Sequence, residues 1–134
     1  MNTRIRILPA IILGLFITAC SYNPVYTSHH IVQHVVIVWF KPDTSEETIK
    51  TIIEETRRLK QIPGILGLSV GHSVPSQRKI VDNSFDIGIV MRFPDKITMD
   101  RYINHPQHVD FVKTWVKPHI RKIIVYDILD THPE

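Results

Sequence analysis

One cysteine, Cys20, stands in the whole chain, so no disulfide can form within the molecule. Other scarcities exclude further classes. The five glycines build no Gly-rich phosphate loop, no Ser-His-Asp order stands out, and no HExxH string is present. The longest apolar run, Ile7 to Ala19, is about 13 residues, too short for a permanent helix across roughly 30 Å of hydrocarbon. Excess charge is small as well. The formal net charge is +3, of which Arg4 and Arg6 supply two, and the remaining Lys and Arg are scattered. A nucleic-acid partner needs clustered positive charge, so none is expected.

What is there begins with a leader. Arg4 and Arg6 precede the apolar run, no acidic residue interrupts it, and Ile17-Thr18-Ala19-Cys20 closes it as a lipobox. The expectation is a secretory signal over 1–19, cut before Cys20, with lipid on the cysteine thiol. Ser21 rather than Asp follows the cysteine, which by resemblance to Gram-negative lipoproteins places the chain in the bacterial cell envelope, anchored in the outer membrane and facing the periplasm. Residues 20–30 are polar, hold Pro24 and show no periodicity, so they read as a tether. A single domain is predicted over 31–129, with a frayed tail at 130–134.

Within the domain the hydrophobic period changes from segment to segment. Ile31 to Phe40 is rich in β-branched and aromatic residues and predicts a strand apolar on both faces, with His34, Val36, Val38 and Phe40 on one and Val35, Ile37 and Trp39 on the other. Thr44-Ser45-Glu46-Glu47 resembles a capping box, and Ile49, Ile52, Ile53 and Leu59 recur at helical spacing, predicting a helix from Ser45 to Gln61. Ile62-Pro63-Gly64 ends it. A second strand is predicted from Leu66 to Ser73, a loop from Val74 to Asn83, and a third strand from Ser84 to Phe93 with Phe85, Ile87, Ile89, Met91 and Phe93 on one face. A helix from Ile97 to Asn104 breaks at His105-Pro106, resumes to Val116, and a last strand covers Arg121 to Leu129.

The order β-α-β-β-α-β is the split βαβ of ferredoxin-like α+β domains, with a four-stranded antiparallel sheet and helices on one face. The first and fourth strands are nevertheless apolar on both faces. An uncovered face of several hundred Å² forgoes many kcal/mol at roughly 25 cal/mol per Å², so a second copy is expected to cover it as a homodimeric α/β barrel.

The ordered residues resemble the stress-responsive dimeric α/β-barrel (Dabb) family. The matching features are His34 with the strand to Phe40-Lys41, Ile62-Pro63-Gly64-Ile65 with Gly71, Phe85-Asp86, and the run from Tyr102 through His105, Pro106 and His108 to Phe111. Together they span residues 32 to 128. The resemblance implies a homodimer closing an eight-stranded barrel. In a plant polyketide cyclase of the family a tyrosine and a histidine at the second helix carry the chemistry, and Tyr102 and His108 match those positions, with His34 matching a pocket histidine.

Site expectations follow from residue type and position. His34 reads either as a core histidine with a hydrogen-bond partner or, facing the cavity of the dimer barrel, as a base or ligand-orienting group. Val36, Val38 and Phe111 would line that cavity, and His105 would border it or cap the resumed helix. Tyr102 and His108 read as an acid and base pair or, for Tyr102, as a packing aromatic. Asp86 reads as a buried, hydrogen-bonded carboxylate. His34, His105, His108 and His119 lack the ligand pattern of zinc sites, and neither metal nor cofactor is expected. The leading functional expectation is a barrel that binds a small apolar ligand. The alternative is a cofactor-independent cyclase, isomerase or monooxygenase acting on a carbonyl compound.

Overall fold

The computed structural model describes residues 30–130, and the signal, Cys20, the tether as far as residue 29 and the last four residues lie outside them. β1 (Val32–Phe40) leads to α1 (Glu46–Arg58), which tightens into a 3-10 turn over Leu59–Gln61. β2 (Gly67–His72) and β3 (Ile87–Phe93) follow. α2 (Lys96–Ile103) and α3 (Pro106–Phe111) then run through a π-helical turn, Val112–Val116, into the short α4 (Lys117–His119) and β4 (Ile120–Leu129). The strands pair antiparallel in the order β2-β3-β1-β4. This is the ferredoxin-like α+β architecture that the element order predicts.

Local chemistry accounts for the boundaries. α1 starts at Ser45, whose side chain accepts from the Thr48 amide, so the cap lies one residue later than the Thr44 and Glu47 pair suggests. Gly64 turns the chain after α1 at φ +97°, a conformation that favours glycine, and a Cβ there would strike Thr98 Cγ2. Pro118 does not end the helical run as expected. It has no N–H, and the turn before it widens so that the Lys117 amide reaches back to the Val112 carbonyl.

One face of the sheet carries the core. His34, Val36, Val38 and Phe40 of β1 share it with Ile87, Ile89, Met91 and Phe93 of β3, and all eight are buried beside Ile52, Ile53 and Leu59 of the α1 segment. Of the two readings of His34, the core histidine with a hydrogen-bond partner holds, and the one that turns its face into a dimer cavity is corrected: this face lies under the helices of its own chain. Alternation alone says which residues share a face, and it does not say which face the helices take.

The opposite face is only partly covered. Val90, Tyr126 and Ile128 are 37%, 54% and 49% exposed on it. Trp39 is buried there, with its Nε1–H donating to Ser84 Oγ at 3.1 Å, the Lys122 ammonium 4.2 Å from its ring centroid and Phe85 edge-on. Phe85 thus belongs to Trp39's face and not, as alternation suggests, with Ile87. β3 proper begins at Ile87, and Asp86 takes an unusual part just before it. The Asp86 carboxylate accepts the Phe40 amide at 2.6 Å in place of a backbone carbonyl. Asp86 is hydrogen-bonded as predicted but exposed rather than buried.

Candidate functional site

Between the sheet and the helices lies a cavity of about 400 Å³, lined almost wholly by apolar side chains. Its floor includes Val36 and Val38 of β1, and its roof includes Phe111 at the end of α3. Ile123 and Val125 of β4 line it too while remaining 44% and 45% exposed, so the cavity opens along this edge strand. Three predicted polar residues meet here: His34, Tyr102 and His108.

Tyr102 is the centre of the group. Its ring centroid is 4.5 Å from that of His108, 5.1 Å from Phe93 and 6.1 Å from His34. α2 brings it into the core, where it is 2% exposed, and burial pushes its phenol far above the ordinary range. Tyr102 therefore stays protonated across physiological pH. It can donate a proton in a hydrogen bond, and it makes a poor base.

The two imidazoles are each fixed through Nδ1. His108 Nδ1 lies 2.8 Å from the Ile103 carbonyl oxygen. A carbonyl only accepts, so Nδ1 carries the proton and Nε2 keeps its lone pair in the neutral ring. Burial lowers the pKa of His108, outweighing the hydrogen bond to Ile103, which raises it; the charges of His34 and His105 lower it further. His34 Nδ1 lies 2.6 Å from Asp127 Oδ1. The carboxylate holds the imidazole in one orientation and again leaves Nε2 as the remaining polar atom.

Asp127 was not foreseen from sequence. It stands among Val125, Tyr126, Ile128 and Leu129, directly opposite His34 across the β1–β4 ladder. The signal was a single carboxylate inside an apolar strand, and it becomes legible only when that register is assumed.

The other two histidines weighed from the sequence lie apart. His105 is the N-cap of α3, its Nδ1 accepting from the Gln107 amide at 3.2 Å, and it is not among the residues lining the cavity. Of its two expected places the cap of the resumed helix is the one found, and the place bordering the ligand cavity is corrected, because capping directs the ring to the helix end. His119 stacks on Trp115. Among the described residues no three His, Cys, Asp or Glu side chains gather as a metal site would require.

The arrangement can seat an apolar molecule and present one polar group of it to two imidazole Nε2 atoms and a phenol. Comparison with known proteins bears on the fold that creates it. No curated protein matches the chain. Among solved structures it is similar to hydroxynitrile lyase from Passiflora edulis, at 22% identity and TM-score 0.69 over 78% of this chain and 99% of the lyase. A Dabb family protein from Mesorhizobium loti gives 22% and 0.63 over 74% of this chain and 95% of its own. A dimeric ferredoxin-like protein from Thermobifida fusca gives 13% and 0.65 over 78% and 95%. At such identities the likeness is one of fold. The model of the stress responsive A/B barrel domain, however, matches residues 32–130, from the first residue of β1 to just past β4. The chain belongs to the stress responsive A/B barrel (Dabb) domain family.

Proposed function

We propose that the protein is a lipid-anchored homodimer whose subunits each hold a small, largely apolar molecule in the cavity between sheet and helices. The observation that carries this reading is an apolar cavity of about 400 Å³ whose polar lining is concentrated in Asp127, His34, Tyr102 and His108. Such a cavity takes most of its binding energy from apolar contact and its orientation from a few convergent polar groups. The half-exposed outer face of the sheet supports pairing with a second copy, and the similar Thermobifida fusca protein is dimeric. The lipobox ending at Cys20 supports the anchor, in the outer membrane and facing the periplasm. Native mass spectrometry of protein from its own host tests the reading. The expected result is a dimer retaining a hydrophobic small molecule and carrying diacylglycerol at Cys20. A dimer that never retains such a molecule, in that preparation or in ligand screens, removes the proposal.

A second reading makes the cavity a cofactor-independent acid–base site acting beside a carbonyl group. It is favoured by one feature, the His108 ring with its proton committed to Ile103 and its pKa lowered by burial. A neutral Nε2 in an apolar surrounding is what a general base needs, and Tyr102 would donate to the carbonyl oxygen. With a substrate in hand, His108→Ala lowers turnover by about 10²-fold or more on this reading. Unchanged turnover leaves ligand binding alone.

A further inference from the structure

The cavity's polar groups have a charge character that narrows what it can hold. Neither lysine nor arginine lines it, and the one formally charged side chain in its wall is the Asp127 carboxylate. Two lysines on or beside the strands that line it are engaged elsewhere. Lys122 sits over Trp39 on the opposite face of the sheet, and Lys41 donates to the Pro118 carbonyl. Thr56 also lines the cavity, but its hydroxyl donates to the Ile52 carbonyl of its own helix at 2.7 Å. His34 cannot act as a free cation, because any positive charge it carries is balanced by Asp127 at 2.6 Å. Burial disfavours the charged form of His108.

A ligand carboxylate or phosphate entering this space would lose its water and gain no unpaired counter-charge, and beside a neutral His34 it would meet Asp127 as a like charge. Burying an unpaired anion is among the most expensive steps available to a complex. A neutral carbonyl or hydroxyl oxygen loses far less, and Tyr102 is there to donate to it. At about 30 Å³ per water-sized group, the space takes about a dozen non-hydrogen atoms.

We infer that the molecule bound between sheet and helices is uncharged, a compound of about a dozen non-hydrogen atoms with one neutral oxygen at its polar end, and that Asp127 excludes carboxylates and phosphates. This rests on the cavity being a small-molecule site. It assigns Asp127 a selective part besides holding His34.

Acetophenone and benzoate test it, since they share shape and atom count and differ in charge. Ligand-observed NMR titrations at pH 8 use the full-length chain in lipid nanodiscs, with the signal of empty nanodiscs subtracted. Acetophenone is expected to bind saturably and at least about tenfold more tightly than benzoate, and Asp127→Asn to narrow that ratio by about threefold or more. Benzoate binding as tightly as acetophenone, or a ratio that Asp127→Asn leaves unchanged, overturns the selectivity while the small-molecule site stands. Saturable binding of neither compound removes both.

Discussion

Replacing Asp127 by alanine takes away the acceptor to which His34 donates. His34 is 7% exposed, so its Nδ1–H has little water to turn to. A buried donor left without a partner costs about 1–3 kcal/mol. The Asp127 side chain itself is 45% exposed, which admits solvent on one side and sets the expected loss at about 1–2 kcal/mol. Asp127→Asn keeps an oxygen in place but exchanges a charge-assisted bond for a neutral one, so its loss should be about half as large. Urea unfolding of the wild type, Asp127→Ala, His34→Leu and the double variant measures the pair directly. A coupling energy of about 1 kcal/mol is expected between residues that touch. Ring nitrogen NMR gives a second readout: His34 should hold one tautomer in the wild type and a mixture in Asp127→Ala. A coupling below about 0.3 kcal/mol, or an Asp127→Ala protein as stable as the wild type, refutes the reasoning.

Three further outcomes are expected. Gly64→Ala should lower stability by at least about 1–2 kcal/mol, because its φ of +97° strains an L-residue and the new methyl meets Thr98, and adding Thr98→Ser should recover part of the loss in thermal melts. Phe93→Ala, at a fully buried position, should cost about 3–5 kcal/mol in urea unfolding. The folded-state pKa of His108 lies below its ordinary value of 6.5, so the neutral ring contributes stability that is fully present above that pH and is lost as pH falls through the lowered value. Unfolding midpoints measured from pH 7.5 down to pH 5 should drop less steeply for His108→Gln than for the wild type.

The sheet and α1 were legible because burial imposes its period on the residues. Ile87, Ile89, Met91 and Phe93 alternate with less buried residues, Ile49 through Leu59 recur at helical spacing, and a serine marks where the helix begins. Less legible was anything set by which face the helices choose. Both faces of β1 are apolar, so parity grouped His34 with Val36 and Val38 correctly and still left their position between helix and partner undecided. Asp127 was hidden for a related reason: its importance lies in a cross-strand neighbour 93 residues away. The turn at Val112–Val116 was hidden as well, since a proline two residues on usually ends a helix, and only the observed Lys117 to Val112 bond shows how the chain continues.

The strand order has a mechanical consequence. The described chain starts at residue 30, at the head of β1, and β1 lies inside the sheet with β3 on one side and β4 on the other. Tension between that point and the opposite end of the sheet runs along the strand, loading both flanking ladders in shear with their hydrogen bonds sharing the force at once. An edge strand peeled from its end would instead open one bond after another, so β1 resists a pull along its length that an edge strand would not.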